Sequence, residues 1–274
     1  MWSASTSACA NERSKWRTGV LARLCTGHRV GGRDARRSMD RRLALGRSIL
    51  KSAVPPELHP DHFTLERLNM VATQLRGRGI RDERLLNAMA RVPRHEFVEL
   101  RDRDQAYEDH PLPIGSGQTV SQPYIVALML ELLHLDASSK VLEVGTGSGY
   151  QTALLAELAA HVYSVERHAQ LAHQAKDRLS RLGFTNVIVL VGDGSQGLAE
   201  YAPFDAIVVS AAASEIPAPL LDQLREGGRM IIPVGPPEQQ ELQLVRKQQG
   251  RPLITVLEGC RFVPLISGSV DSEI

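Results

Sequence analysis

The stretch KVLEVGTGSGY, residues 140–150, decides the fold class of this 274-residue chain. An apolar run at residues 140–144 leads into three alternating glycines, Gly145, Gly147 and Gly149, and a helical pattern follows over residues 151–158. Glycine permits the tight turn that joins a strand to a helix, and it lets a ligand approach the backbone closely. The stretch therefore predicts a ligand-binding turn. A glycine-rich turn that binds nothing is the alternative.

Four further apolar runs follow this turn, and helical patterns at residues 169–182 and 217–224 lie between them. The runs are residues 160–165, 187–191, 205–210 and 229–234. Strands that alternate with helices predict an α/β fold with a mostly parallel sheet and helices on both faces. Residues 242–246 and 253–257 predict two late strands, which bring the sheet to seven strands. The topology of these two strands is left open.

The region before the glycine turn contains two predicted amphipathic helices and a loop. Apolar residues spaced by three or four positions predict the helices, which are joined at residues 77–79. The apolar positions are Leu65, Leu68, Val71, Leu75, Leu85, Leu86 and Met89. A loop rich in Gly and Pro follows at residues 109–123. A further helix is predicted at residues 125–135.

The first part of the chain differs in charge from the rest. Residues 1–51 hold 12 Lys and Arg but only three acids, whereas the remainder holds 20 basic and 28 acidic side chains. Residues 1–60 have no sustained apolar periodicity, so they bury too little apolar surface to offset their chain entropy. We expect a basic, disordered N-terminal extension, or a translation start assigned too early. A basic arm for an anionic surface and an organelle transit peptide are the alternatives.

Composition narrows the possible classes of protein. A hydrophobic content of 43% and a charged content of 23% are ordinary for a soluble globular protein, and no stretch approaches the roughly 18 apolar residues of a membrane span. Cys9, Cys25 and Cys260 lie far apart, which argues against a disulfide framework and fits the reducing cytoplasm. The nine histidines show no metal-ligand spacing, so no metal is expected. An aromatic content of 4% disfavours a stacking platform for nucleic acid.

Two acidic residues follow the second and third apolar runs. Glu166 ends the second run, 21 positions after Gly145, where a carboxylate can accept hydrogen bonds from two ribose hydroxyls. Asp193 ends the third run and could face an adenine edge. Ligands of open α/β sheets bind at the carboxyl ends of the strands. Each acid alone could instead be a helix cap or a turn residue, but together they favour a nucleoside ligand.

The spacing of the glycines indicates which nucleoside ligand this is. In the pyrophosphate-binding pattern G-x-G-x-x-G the third glycine would fall at Tyr150, whereas this chain has Gly149. With Glu143 just before the turn, the pattern resembles that of S-adenosylmethionine-dependent methyltransferases, which bind an adenosine and an amino-acid tail. The D/N-P-P-Y/F motif of adenine-N6 methyltransferases is absent after residues 205–210, which argues against a nucleic-acid substrate.

Three blocks of the sequence resemble the protein-L-isoaspartate O-methyltransferase family. They are IGSGQTVSQPYI at residues 114–125, LEVGTGSGYQ at 142–151 with Glu166 and Gly192–Gly194, and a third block from PFDAI at 203–207 to GGRMIIPVG at 227–235. The resemblance covers residues 61–274. It implies one methyltransferase domain, with N-terminal helices and the substrate loop over residues 61–123 and the cofactor-binding core over residues 124–274.

The resemblance implies methyl transfer from S-adenosylmethionine to the α-carboxylate of L-isoaspartyl residues in damaged proteins and peptides. The ester then closes to a succinimide, which can reopen to aspartate. A monomer that uses neither nucleic acid nor a membrane is expected. The cofactor-binding residues are expected to be Gln118, Thr119, Val120, Glu143, Gly145, Thr146, Gly147, Gly149, Glu166, Asp193 and Gly194.

Ser121 is the residue that the resemblance places at the reaction. An ionised carboxylate needs no general base, so catalysis depends on orientation and on exclusion of water. The Ser121 hydroxyl could donate a hydrogen bond to that carboxylate, although a serine before Gln-Pro could equally cap a helix. Residues 210–213 could leave room for the substrate backbone or could serve tight packing. Residues 261–265 lie beside the peptide substrate in the family, with an edge strand as the alternative.

Two other functions stay open from the sequence. One is a methyltransferase that acts on small acids or another nucleophile, and it would show turnover on free carboxylic acids only. The other is a cofactor-binding relative that has lost activity, with the basic N-terminal segment as a docking arm. It would bind the cofactor tightly and transfer no methyl group.

Overall fold

The computed structural model describes residues 61–268 of the chain. The predicted N-terminal extension, residues 1–60, lies outside the described residues. The first helices are α1 (His62–Met70) and α2 (Glu83–Arg91). Asp61 caps α1 by accepting a hydrogen bond from the Thr64 N–H, at 2.7 Å, and Asp82 caps α2 in the same way. Both carboxylates satisfy backbone donors that the first helical turn leaves unpaired.

The buried face of α1 differs from the predicted one. Leu65 and Leu68 are 54% and 48% exposed, so their assignment to the apolar face was wrong. Arg67 lies inward instead, and its Nε donates to the Ala90 carbonyl oxygen at 2.7 Å. The helix continues as a π-helical turn at Val71–Leu75, whose first and last residues are buried.

A short hairpin crosses the region that the sequence indicated to be a loop. It consists of β1 (Leu112–Gly115) and β2 (Gln118–Val120), which pair antiparallel. Positive φ angles at Ser116 (51°) and Gly117 (68°) form the turn between them. Helix α3 (Pro123–Leu133) follows directly. Ser121 therefore lies between a strand and a helix.

The rest of the described chain alternates strands and helices. The elements are β3 (Lys140–Val144), α4 (Tyr150–Leu158), β4 (His161–Glu166), α5 (Ala169–Arg181), β5 (Val187–Val191), β6 (Phe204–Val209), α6 (Ala218–Gln223), β7 (Leu224–Val234), β8 (Gln240–Gln248) and β9 (Arg251–Cys260). The sheet order among the described residues is β5-β4-β3-β6-β7-β8-β9. Strands β3 to β7 are parallel, and β8 and β9 are antiparallel to their neighbours. The predicted mostly parallel seven-stranded sheet is confirmed.

The order of the strands places a crevice beside β3. The chain passes from β3 through β4 to β5 on one side, and β6 then pairs with β3 on the other side. The crossovers therefore diverge at the carboxyl ends of β3 and β6, which is where open α/β sheets bind ligands. The sheet separates two buried clusters. Val141 packs with α3 and α4 on one face, and Leu142 packs with α6 on the other. Over the described residues, no helix combines the length and the apolar character of a membrane crossing.

Candidate active site

The glycine turn at the end of β3 has the conformation that its sequence requires. Gly145, Gly147 and Gly149 have φ angles of 93°, 54° and 88°, a region that other residues rarely adopt. A Cβ at Gly145 would lie 3.4 Å from the Ser210 Cβ, and one at Gly147 would lie 3.2 Å from Ile114 of the hairpin. Ile114 of the hairpin therefore lies close over Gly147 and leaves little room for a side chain at that position.

A cavity of about 230 Å³ lies between the hairpin and the glycine turn, and we call it the inner cavity. Nine of the predicted site residues line it: Gln118, Thr119, Val120, Ser121, Gly145, Thr146, Gly147, Glu166 and Gly194. They come from the hairpin and from the ends of three neighbouring strands. The structure thus brings together residues that are up to 76 positions apart in the sequence.

Three predicted cofactor residues do not line the inner cavity. A Cβ on Gly149 would lie 3.3 Å from Ala175, so this glycine allows α5 to pack closely on the turn. Asp193 accepts hydrogen bonds from Ser195 and from the Gly268 N–H at 2.8 Å. Burial opposes ionisation of Asp193, but these donors outweigh it and lower its pKa. The third residue, Glu143, is completely buried under α4.

Glu143 organises a polar network beneath the turn. Its carboxylate accepts hydrogen bonds from Gln151 Nε2 (3.1 Å), Thr152 Oγ1 (2.5 Å) and Ser164 Oγ (2.7 Å). These bonds tie β3 to α4 and β4. Burial raises the pKa of Glu143 to about 7, although the three donors oppose this shift. The network thus lies beneath the glycine turn, and Glu143 itself does not line the inner cavity.

The free energy of unfolding should depend on pH through Glu143. The folded pKa of about 7 exceeds the ordinary value of 4.5, so between these values the folded state binds more protons than the unfolded state. The corresponding stability is present at low pH and is lost as the pH rises towards 7. Glu143→Gln removes this titration while keeping the side-chain volume. Relative to wild type, the variant should gain on the order of 1–3 kcal/mol between pH 5 and pH 8.

Denaturant titrations of both proteins at pH 5 and pH 8 measure this difference. Glu166 is the charged group that also raises the pKa of Glu143, and it stays in place in both proteins. Parallel pH profiles for wild type and Glu143→Gln would contradict the assignment of a neutral Glu143 at pH 5.

Glu166 holds the glycine turn from the neighbouring strand. One carboxylate oxygen accepts a hydrogen bond from the Gly147 N–H at 3.0 Å, and the other accepts one from the His168 N–H at 2.9 Å. The side chain is only 5% exposed, and that part lines the inner cavity. Each carboxylate oxygen has a further lone pair, so Glu166 can also accept hydrogen bonds from two ligand hydroxyls.

Ser121 lies between the hairpin and α3 and does not cap the helix. The N-cap of α3 is Gln122, with Pro123 in the first turn, and no side chain caps this end. The alternative of a capping role for Ser121 was therefore wrong. The Ser121 carbonyl oxygen accepts a 2.9 Å hydrogen bond from Nη2 of Arg94. Ser121 lines the inner cavity.

A second, larger cavity of about 690 Å³ adjoins the first, and we call it the outer cavity. Among residues 61–268, four line both cavities: Thr119, Ser121, Ser210 and Val263. We call these four residues the junction. Three of them carry hydroxyl groups. A donor bound in the inner cavity and an acceptor bound in the outer cavity would meet there.

The segment after β9 closes the junction from the other side. Ala212 N–H donates to the Val263 carbonyl oxygen at 2.8 Å, and Leu265 N–H donates to the Ala212 carbonyl oxygen at 2.7 Å. Residues 261–265 form only an isolated bridge with the end of β6, so the edge-strand alternative for them was wrong. Within the described range 61–268, no group of His, Cys, Asp and Glu side chains is arranged to hold a metal ion.

Arg94 is a site residue that the sequence did not indicate. It is fully buried, and its Nε donates to the Ala106 carbonyl oxygen at 2.7 Å, while its guanidinium lies 4.7 Å from the centre of the Tyr150 ring. No sequence pattern indicated this role, because Arg94 lies in a charged region and arginines in such regions are usually exposed to solvent. Gln151 was also missed, because its contact with Ser210 joins residues that are far apart in the chain.

The chain has a mostly parallel sheet, a glycine turn after β3 and an acid, Glu166, at the end of β4. This is the arrangement of S-adenosylmethionine-dependent methyltransferases, and the fold and the site assign the chain to that class. A sequence profile of the family "Protein-L-isoaspartate(D-aspartate) O-methyltransferase (PCMT)" matches residues 66–270. The chain belongs to this family.

Relatives and solved structures agree with the family. The chain is 61% identical over 214 residues to a "Protein-L-isoaspartate O-methyltransferase" of Koribacter versatilis, a match that covers 78% of this chain and 96% of that one. It is 57% identical to a protein of the same name from Methanoculleus marisnigri, over 76% of this chain and 95% of that one. A Plasmodium falciparum structure described as a putative member "in complex with S-adenosyl-L-homocysteine" is 29% identical, with a TM-score of 0.64, over 73% and 98% of the two chains.

Proposed function

We propose that this protein transfers a methyl group from S-adenosylmethionine to the α-carboxylate of L-isoaspartyl residues in damaged proteins and peptides. The observation that carries the proposal is the junction, where three residues with hydroxyl side chains line both the small cavity over the glycine turn and the larger cavity beside it. The named relatives at 61% and 57% identity support the same reaction. The neighbouring backbone amide nitrogen of the substrate would then attack the ester carbonyl and release methanol to form a succinimide, which water reopens in part to aspartate.

The residues of the inner cavity fit S-adenosylmethionine. Gly145 and Gly147 line the cavity without a Cβ, so a ligand can approach their backbone, and Glu166 keeps lone pairs for two ribose hydroxyls. When bound, the cofactor supplies an electrophilic methyl group on a sulfonium. We propose that the backbone of the glycine turn and residues 118–120 of the hairpin enclose it and keep water out.

The chemistry requires orientation rather than proton transfer. The substrate carboxylate is already ionised at pH 7, because its ordinary pKa is near 4. Its oxygen forms a bond to the methyl carbon while the methyl–sulfur bond breaks, and no proton moves. Since the charges of donor and acceptor cancel during the reaction, a dry junction accelerates it, provided that fixed dipoles replace the lost hydration. We propose that the Ser121 hydroxyl supplies such a dipole and positions the attacking oxygen.

Glu166 provides a test of the cofactor site. Glu166→Gln keeps the shape of the side chain but removes its charge and one acceptor. We expect the dissociation constant for S-adenosylhomocysteine to rise by about 10- to 100-fold, because hydrogen bonds to a charged group are lost. Titration calorimetry measures this constant. Glu200→Gln, at an exposed glutamate that lines neither cavity, is the control. Equal affinity in Glu166→Gln and wild type would remove Glu166 from the cofactor site.

We also propose that residues 61–274 suffice for the reaction. The matching profile begins at residue 66, and the site residues described above all follow residue 61. Deletion of residues 1–60 should therefore leave kcat and KM for an isoaspartyl peptide unchanged in a steady-state assay. Loss of activity in this truncated form would assign a function to the basic segment.

The cellular setting is a further part of the proposal. We propose a cytoplasmic monomer that acts on proteins and peptides and not on nucleic acid. The widely spaced cysteines and the missing D/N-P-P-Y/F motif support this. Light scattering after size-exclusion chromatography tests the monomer, and a methyl-transfer assay with DNA and RNA tests the substrate class.

Labelled methyl transfer to an isoaspartyl peptide, compared with its aspartyl twin, tests the function itself. We expect transfer to the isoaspartyl peptide only. Transfer to small carboxylic acids with none to the peptide would favour a methyltransferase of another nucleophile. Binding of S-adenosylhomocysteine with no transfer to any acceptor would favour an inactive relative.

A further inference from the structure

Ser210 is the junction residue to which the sequence assigned no chemical role. It directly follows β6, and its N–H donates to the Val144 carbonyl oxygen at 2.9 Å. Its Cβ lies against Gly145, where a Cβ on the glycine would be only 3.4 Å away. The backbone bond and this close contact fix the position of the side chain beside the glycine turn. The residue lines both the inner and the outer cavity.

The hydrogen bonds around Ser210 determine where its hydroxyl proton can point. Gln151 Nε2 donates to Ser210 Oγ at 2.9 Å, and the same nitrogen donates to Glu143 Oε1 at 3.1 Å. Both hydrogens of the Gln151 amide are therefore used. Because a hydroxyl that accepts one hydrogen bond still has its own proton to donate, the Ser210 O–H is left for an acceptor in the cavity.

The Ser210 site suits an anionic acceptor. The oxygen already receives a hydrogen bond, which polarises the hydroxyl and strengthens it as a donor. Thr119 and Ser121 belong to the same junction, so three residues with hydroxyl groups are available to an anionic group there. A carboxylate presents two oxygens, and Ser121 accounts for only one of them in the proposed reaction.

We propose that Ser210 donates a hydrogen bond to the carboxylate oxygen of the isoaspartyl substrate that is not methylated, with Gln151 and Glu143 holding the hydroxyl in this direction. The inference rests on the proposed function and adds a second substrate-binding residue to it. The bond persists through the reaction, because the oxygen that receives it becomes the carbonyl oxygen of the ester.

This persistence decides which kinetic constant depends on Ser210. An interaction present in both the bound substrate and the transition state changes KM and leaves kcat nearly unchanged. Ser210→Ala should therefore raise KM for an isoaspartyl peptide by about tenfold or more, the effect of one hydrogen bond to a charged group. The dissociation constant for S-adenosylhomocysteine should stay as in wild type.

Steady-state kinetics on an isoaspartyl peptide, together with calorimetry on S-adenosylhomocysteine, separates the possible roles. Ser210→Thr, which keeps the hydroxyl, should restore KM towards the wild-type value. Ser180→Ala is the matched control, since Ser180 is an exposed serine on α5 that lines neither cavity. A purely structural role would lower thermal stability and would not produce a rise in KM that threonine reverses.

Three results would overturn the role of Ser210. A wild-type KM in Ser210→Ala would exclude the hydrogen bond. A fall in kcat at constant KM would make it an interaction of the transition state alone, and a loss of affinity for S-adenosylhomocysteine would assign the residue to the cofactor. If the wild-type protein did not methylate the isoaspartyl peptide, the proposed function itself would be wrong. If the wild-type protein were active and Ser210→Ala had the same KM, only the role of Ser210 would be wrong.

Discussion

Ser121→Ala is expected to lower kcat for an isoaspartyl peptide by about a hundredfold, because the attacking oxygen loses the hydrogen bond that orients it and a misplacement of about 1 Å can cost that much. The alanine keeps the backbone at residue 121, including the carbonyl oxygen that Arg94 binds. Affinity for S-adenosylhomocysteine should change little, because the glycine turn and Glu166 remain intact. The loss would thus be confined to turnover.

The Ser121 prediction separates catalysis from folding. Gln122 and Pro123 form the start of α3 without the Ser121 side chain, so the variant should unfold at the wild-type temperature. Single-turnover rates, thermal unfolding and calorimetry on S-adenosylhomocysteine are the three measurements, with Ser180→Ala as control. Unchanged turnover would remove Ser121 from the catalytic site.

Arg94→Met is the second variant with a large expected effect. The guanidinium is fully buried and links the Ala106 and Ser121 carbonyl oxygens, so it sets the position of the segment that carries Ser121. Methionine has a similar length but no donor. A displacement of about 1 Å at reacting groups can reduce a rate about a hundredfold, and we expect a fall in kcat of about 10- to 100-fold.

The stability of Arg94→Met should change much less than its activity. Two carbonyl oxygens lose a partner, which costs stability, but the desolvation cost of a buried cation is also removed. Arg94 forms no ion pair within the described part of the chain, so no carboxylate is left unpaired. Denaturant titration and kcat on the same sample test this. A fully active, folded variant would show that Arg94 does not position Ser121.

Most of the α/β core was predicted from local sequence patterns, namely the apolar runs and the helical spacing of apolar residues between them. The apolar runs of β3 to β7 are short and alternate with helical patterns, and the glycine turn follows β3 as expected. The hairpin of β1 and β2 was missed because its strands have four and three residues, and Pro113 and two glycines obscure their pattern. The apolar face of α1 was assigned wrongly because Arg67 takes an inward position.

Nine residues of the site were predicted from the sequence, including residues of the glycine turn, residues of the hairpin and the acid that ends β4. Gly145 and Gly147 line the inner cavity, as a tight turn requires. Glu143 and Asp193 were also predicted for the cofactor site; their carboxylates accept hydrogen bonds from protein donors, and neither residue lines the inner cavity. Such partners are distant in the sequence, so no local pattern reveals them. Arg94 and Gln151 were missed for the same reason.

In the proposed reaction, methyl transfer takes place at the junction between the two cavities. A structure of the protein with S-adenosylhomocysteine and an isoaspartyl peptide tests it most directly. We predict that the α-carboxylate lies among Thr119, Ser121 and Ser210, within hydrogen-bond distance of the Ser121 hydroxyl. A peptide carboxylate outside the junction, or S-adenosylhomocysteine outside the inner cavity, would contradict the account.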